Sequence, residues 1–197
     1  MILGLMGKAN SGKDTAYSFI SNYCRDYKVI SYSFASFLKN FCSDVFGINI
    51  ENFSNHETKS QLSSLSFNCL PQFRDQKYRN LCEKKMTNRE VLQYTADFLK
   101  TISPNIFCDI VFRKILNDKP DIAVITDVRF LNEAQRIFDY GGLVLKIIRN
   151  SNNLDTHISE NEIDICPYTS VIYNNGSLGQ FKSSIVYFLE ENVISKK

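Results

Sequence analysis

Three clusters of side chains in this sequence are of types that handle phosphate. The first is the run Gly7-Lys8-Ala9-Asn10-Ser11-Gly12-Lys13-Asp14-Thr15. In such a G-x-x-x-x-G-K spacing the glycines let the backbone curl until successive N–H groups converge on an anion. A helix that starts at the end of the loop adds its positive pole, and Lys13 adds a mobile charge that can follow a phosphoryl group. The run predicts binding of a nucleoside triphosphate, with Gly7, Lys8, Ser11, Gly12, Lys13, Asp14 and Thr15 around the phosphates. The residue after the lysine is ordinarily Ser or Thr, whose hydroxyl ligates Mg²⁺; here it is Asp14, with Thr15 next. A carboxylate so near phosphate needs a screening cation, which reads Asp14 as a magnesium-side group, direct or through water.

The second cluster is Asp127-Val128-Arg129 and the third is Arg149 with the polar segment behind it. Phosphoryl transfer asks for clamped phosphates, a metal and positive charge on the group in flight. Lys13 and an arginine suit that role, and Asp127 suits holding a metal or orienting a substrate hydroxyl. Blander readings stand beside these. Asp127 also suits capping the helix that follows it, Arg129 pairing with a surface carboxylate, and Arg149 and Glu133 plain solvation. His157, Ser159 and Glu160 do not read as a catalytic triad, because no nucleophile elbow accompanies them.

The elements that must position these groups alternate between short apolar runs and helical patterns. Residues 1–6, 28–34, 122–127, 143–148 and 170–173 read as strands, and the continuous apolar run Ile122–Ile125 has the look of a fully buried parallel strand. Helices are predicted over 16–27, 37–46, 131–140 and 178–193, with Lys39 in the first turn of the second. Another opens at Thr87, whose capping box closes on Glu90, and ends at Ser103-Pro104; a further one runs to about Leu116. This is the pattern of an α/β, doubly wound, mainly parallel five-stranded sheet flanked by helices. All three clusters then fall at carboxyl ends of strands, where ligands of such sheets gather. Two polar insertions, 52–85 and 149–167, read as substrate-binding or lid elements. The first carries Lys59, Arg74, Lys77, Arg79, Lys84 and Lys85 among aromatics, fit for a substrate phosphate or simply for water.

Composition limits the alternatives. A chain of 197 residues suits a single domain, and its net charge of +2 gives no basic field for nucleic acid. Six scattered cysteines without C-x-x-C spacing and two distant histidines predict reduced, buried thiols rather than a zinc site. No signal peptide or membrane span is read, so a soluble, cytoplasmic protein is expected.

Taken together, the blocks resemble the deoxynucleoside monophosphate kinases of large DNA viruses and bacteriophages, a P-loop kinase family. The resemblance is carried by the Gly7–Thr15 loop with Asp after its lysine, by Arg89-Glu90-Val91-Leu92-Gln93, and by Asp127-Val128-Arg129-Phe130-Leu131-Asn132-Glu133-Ala134. It continues through Arg149, His157-Ile158-Ser159-Glu160 and Val171-Ile172-Tyr173-Asn174-Asn175-Gly176, in family order over nearly the whole chain. It implies one P-loop kinase domain over 1–197 that moves the γ-phosphate of ATP, with Mg²⁺, to a deoxynucleoside monophosphate such as dGMP or dTMP, in nucleotide supply for DNA synthesis. Lys13 and the loop amides would hold ATP, with Asp14 or Thr15 on the metal side. Arg89 and Arg129 would grip the acceptor phosphate or the transferring group, and Asp127 and Glu133 would meet the sugar, the base or the metal. Phe107 stands where the family often has tryptophan and would stack on the base, while Lys39 matches a family Leu-Lys. A homodimer, and the host cytoplasm for a viral member, are also implied. The sequence departs from the family at Tyr94–Lys100: a usual glycine is missing, and Lys100 replaces an arginine whose bidentate grip a lysine does not reproduce. Alternatives are a kinase of another small phosphorylated acceptor, phosphomevalonate-like, or a catalytically silent nucleotide-binding protein.

Overall fold

A computed structural model of the protein describes residues 1–67, 84–150 and 158–194. The chain divides into two compact units, one formed by Met1–Phe34 with Cys108–Lys197 and the other by Ala35–Phe107.

The first unit is built on a five-stranded sheet of β1 (Ile2–Met6), β2 (Val29–Tyr32), β5 (Ile122–Val128), β6 (Leu143–Ile148) and β7 (Ser170–Tyr173). The spatial order is β2-β5-β1-β6-β7, and every neighbouring pair is parallel. Side chains alternate between the two faces of each strand. Leu3 and Leu5 of β1 accordingly join Val124, Leu145 and Ile147 against Ala16 and Ile20 of α1 (Lys13–Tyr23) and against Phe181, Ile185 and Phe188 of α8 (Leu178–Leu189). On the opposite face Gly4 lies beneath Ile137 of α6 (Leu131–Asp139); a Cβ there would come within 2.6 Å of its Cδ1. The order of strands reverses at β1, so the crevice outside the carboxyl ends of β1 and its neighbours is where such a sheet takes a ligand.

The second unit holds most of α2 (Phe34–Phe46), a 3₁₀ turn Ile50–Phe53, α3 (His56–Ser60), an antiparallel ribbon of β3 (Leu62–Ser66) and β4 (Lys85–Thr87), and α4 (Asn88–Ile102). Its core is Cys42, Ile48, Phe53, Phe67, Met86 and Val91. The capping box at its longest helix is present as the sequence predicts: Thr87 Oγ accepts from Glu90 N at 3.2 Å and Glu90 Oε2 from Thr87 N at 2.8 Å. Helix α5 (Ile106–Asp118) leads back to the first unit.

The five sheet strands fall where the sequence places them, with ends differing by a residue or two. Four other elements differ from that reading. Helix α1 starts at Lys13 because Gly12, at φ 107°, turns the chain straight into it. Helix α2 starts at Phe34 rather than Phe37, because a carboxylate distant in sequence, Asp127, accepts the Phe34 N–H; Lys39 therefore lies in its second turn. The Ser-rich ribbon strand Leu62–Ser66 has no apolar alternation to reveal it, and α7 (Ile158–Ile165) lies in a stretch read as loop. Arg74, Lys77, Arg79 and His157 fall outside the described residues.

Candidate active site

The loop between β1 and α1 is braced by donors that reach its carbonyls. Lys13 folds back so that Nζ donates to Gly7 O at 2.6 Å and Lys8 O at 2.8 Å. From the end of β7, Asn174 Nδ2 donates to Ser11 O at 2.9 Å. Asn10 and Gly12 adopt positive φ, 60° and 107°, which turns the peptide planes between them as an anion-cradling loop requires. Gly7 admits no side chain: a Cβ would lie 2.5 Å from the Ile147 carbonyl and 2.5 Å from Ser11 Oγ. Ser11 is buried, and its hydroxyl has no hydrogen-bond partner, an orphaned polar atom in the loop itself. Lys8 pairs with Asp164 at 2.9 Å, both half exposed, a contact that adds little stability.

The turn after β5 is braced from both sides, by an acceptor that reaches two N–H groups and a donor that reaches a carbonyl. Glu133, buried in the first turn of α6, accepts from Arg129 N at 2.8 Å and from Phe130 N at 3.1 Å, both on Oε2. Cys166 Sγ donates to Arg129 O at 3.7 Å. Asp127 binds across to the end of β2, accepting from Ser33 Oγ at 2.7 Å and from Phe34 N at 2.8 Å. It thus caps α2, the helix of its neighbour strand, and not the helix that follows it. Arg149 is exposed one residue past β6.

Lys13, Asp14, Thr15, Asp127, Arg129, Glu133 and Arg149 all lie in the first unit at the carboxyl edge of its sheet. Lys39, Arg89 and Phe107 belong to the second. There Arg89 is the second residue of α4, two past the capping Thr87, and is half-buried, while Phe107 is buried with its ring 6.5 Å from that of the more open Phe37. Sequence reasoning missed Ser33, Asn174, Cys166 and Phe37. Asn174 and Ser33 each follow directly on a sheet strand, a position that singles out edge residues once the strands are assigned.

What the loop offers a cation is oxygen: the Asp14 carboxylate and Thr15 hydroxyl in the first turn of α1 and the orphaned Ser11 hydroxyl. Among the described residues no three His, Cys, Asp or Glu side chains cluster as a metal cage. A sparse set of hard donors fits Mg²⁺, which keeps waters and takes substrate phosphates as ligands.

A glycine loop on the first helix of a parallel sheet, at the point where strand order reverses, defines a phosphate-binding α/β fold of the P-loop kind. Residues 48–185 match the family model described as deoxynucleotide monophosphate kinase. A protein of Acanthamoeba polyphaga mimivirus named as a deoxynucleotide monophosphate kinase is 32% identical over 202 residues, spanning 94% of each chain. A deoxynucleoside-5′-monophosphate kinase of Escherichia phage T5 is 28% identical over 196 residues, covering 79% of this chain and 74% of its own. Among solved structures, a dephospho-CoA kinase from Campylobacter jejuni aligns at a TM-score of 0.47 and 16% identity, over 100% of this chain and 98% of that one. This chain belongs to the deoxynucleotide monophosphate kinase family. It is an enzyme, a nucleotide kinase with nucleotide substrates. No helix among the described residues is long and apolar enough to cross a membrane.

Proposed function

We propose that this kinase transfers the γ-phosphate of ATP to a deoxynucleoside monophosphate, dGMP, dTMP or a similar one. The bond from the β,γ-bridging oxygen to Pγ breaks, a bond from Pγ to an oxygen of the acceptor phosphate forms, and ADP leaves with the deoxynucleoside diphosphate. The observation that carries the reading is the Gly7–Lys13 loop, curled by positive φ at Asn10 and Gly12 and tied at its carbonyls by Lys13, Asn174 and its own Ser11 N–H. Lys13 exchanges its two carbonyl partners for the ATP phosphates, and Gly7, Lys8, Ser11 and Gly12 line them. Asp14 and Thr15 stand on the side of Mg²⁺, which when bound neutralises charge developing on the phosphates. Arg129, on its braced turn, and Arg149 lend positive charge to the transferring group, and Asp127 fixes the edge on which they stand. In the second unit Arg89 and Lys39 are the phosphate-gripping candidates, and the Phe37–Phe107 pair offers aromatic surface to a base.

The same reading takes 1–197 as one kinase domain with 52–85 and 149–167 as its substrate and lid insertions, working as a homodimer in the cytoplasm, that of the host for a viral member. The test is ADP release with ATP and Mg²⁺ across dGMP, dTMP, dCMP, dAMP, GMP and phosphomevalonate, with products identified as diphosphates. Turnover of one or more deoxynucleotides is expected. Turnover of phosphomevalonate alone would replace the acceptor class, and ATP binding without any product would make the protein a silent nucleotide binder.

A further inference from the structure

The Glu133 carboxylate is buried, yet it faces the main chain. Its Oε2 takes the N–H groups of Arg129 and Phe130 at 2.8 and 3.1 Å. The carbonyl of the same Arg129 receives the Cys166 thiol at 3.7 Å, so residue 129 is held at both ends of its backbone by buried side chains. Burial, reinforced by the nearby Glu162 and Glu133 carboxylates, pushes the Cys166 thiol upward in pKa, which keeps it a donor at neutral pH. Cys166 is itself fixed, since the α7 turn before it is pinned by buried Lys146, whose Nζ donates to Ile163 O at 2.9 Å.

We infer that Glu133 is a positioning residue: it acts on the reaction through the backbone of Arg129 and not by touching nucleotide or metal. This rests on the reading of Arg129 as the arginine that meets the transferring group. An arginine on a free turn would spend its long side chain's reach on many poses. A carboxylate that consumes two successive N–H groups fixes the Cα–Cβ vector from which the guanidinium is aimed, and misplacement by about 1 Å costs on the order of a hundredfold in rate.

The test compares Glu133→Gln, Glu133→Ala, Arg129→Ala and the Glu133→Ala/Arg129→Ala double variant, each with kcat, KM for both substrates and a thermal melt. Both N–H bonds end on one oxygen, so the Gln carbonyl replaces it, with weaker hydrogen bonds. Glu133→Gln should lose about fivefold in kcat, while Glu133→Ala loses about a hundredfold. In the Arg129→Ala background Glu133→Ala should cost less than about threefold more, because there is no guanidinium left to aim. Equal losses in the Gln and Ala variants, or multiplying losses in the double variant, would overturn the inference and return Glu133 to direct contact with substrate or metal. If Glu133→Ala does not fold, a Glu133→Gln variant that melts normally but loses a hundredfold overturns it alone. Unchanged turnover in Arg129→Ala defeats the reading beneath it as well, whereas lost turnover there with full turnover in Glu133→Ala defeats the inference only.

Discussion

The loop after β1 and the turn after β5 leave adjacent strands at the same edge of the sheet, and both run into helices, yet a side-chain carboxylate takes the N–H groups of the turn and none is seen on those of the loop. The loop is held by its carbonyls: the donors are Lys13 Nζ and Asn174 Nδ2. The turn is held on both sides: a buried carboxylate takes two of its N–H groups, and the Cys166 thiol donates to Arg129 O. The difference follows from what each must present. A loop that binds an anion by its main chain has to keep N–H groups for the ligand, so its scaffold grips the oxygen side. A turn that works through a side chain has no use for its N–H groups and can spend them on rigidity. A carboxylate bracing the loop in the manner of Glu133 would compete with the phosphate it is there to bind.

The strongest way to break this comparison is at the residue that serves both scaffold and ligand. Lys13→Ala removes the tie to Gly7 O and Lys8 O together with the charge on the phosphates. Turnover should fall by about a thousandfold, with a melting temperature within a few degrees of the parent, because the lysine is not buried in the core. Coupled ADP release and a thermal melt read the two effects. Full turnover would take Lys13 out of the machinery and leave it a loop brace alone.

How much of this was legible beforehand differs between the two regions. The loop announces itself, because glycines and a lysine at fixed spacing are local, and the strand before it and helix after it are local too. The Asp127–Glu133 block was legible as a site, but not the direction its side chains take. The sequence reads Asp127 as a metal-holding or substrate-orienting group, or more plainly as a cap for the helix that follows; its partners in the fold are Ser33 and Phe34, 94 and 93 residues away in sequence. Glu133 reads as a solvent-facing helix residue until its own turn is seen to fold over it. The Asp127 bonds depend on which strands become neighbours, which local patterning does not encode, whereas the Glu133 bonds are local, to residues four and three positions back. The β3–β4 ribbon stayed hidden for a related reason, since Leu62-Ser63-Ser64-Leu65-Ser66 has neither strand nor helix period.

Gly12→Ala sharpens the comparison next. The residue sits at φ 107°, where a Cβ is strained, and the added atom would lie 2.5 Å from Asn174 Nδ2. The amide can swing away, but only by releasing Ser11 O. A loss of roughly 2 kcal/mol in stability is expected, measured by urea unfolding, with a KM for ATP raised about tenfold. Asn174→Ala alone should raise that KM about fivefold through the one lost bond. The two substitutions should not add, because the first already breaks the contact that the second removes. Additive effects would mean that Asn174 does not brace the loop through Ser11.

The smallest effect is expected on the turn side, at Ser33→Ala. This change deletes the 2.7 Å hydroxyl bond to Asp127 Oδ2 and leaves the 2.8 Å bond from Phe34 N to Oδ1 in place. If Asp127 is spent on joining the ends of β5 and β2, the cost is one hydrogen bond to a charged acceptor, about 1.5 kcal/mol of stability, with kcat reduced no more than about twofold. The carboxylate keeps its place because the remaining N–H bond belongs to the first turn of α2, whose positive pole also favours a negative charge there. A large fall in kcat with unaltered urea unfolding would show the reverse. Asp127 would then face the reacting groups, with Ser33 tuning its orientation, and the turn would share with the loop the double duty of scaffold and ligand that the present geometry reserves for Lys13.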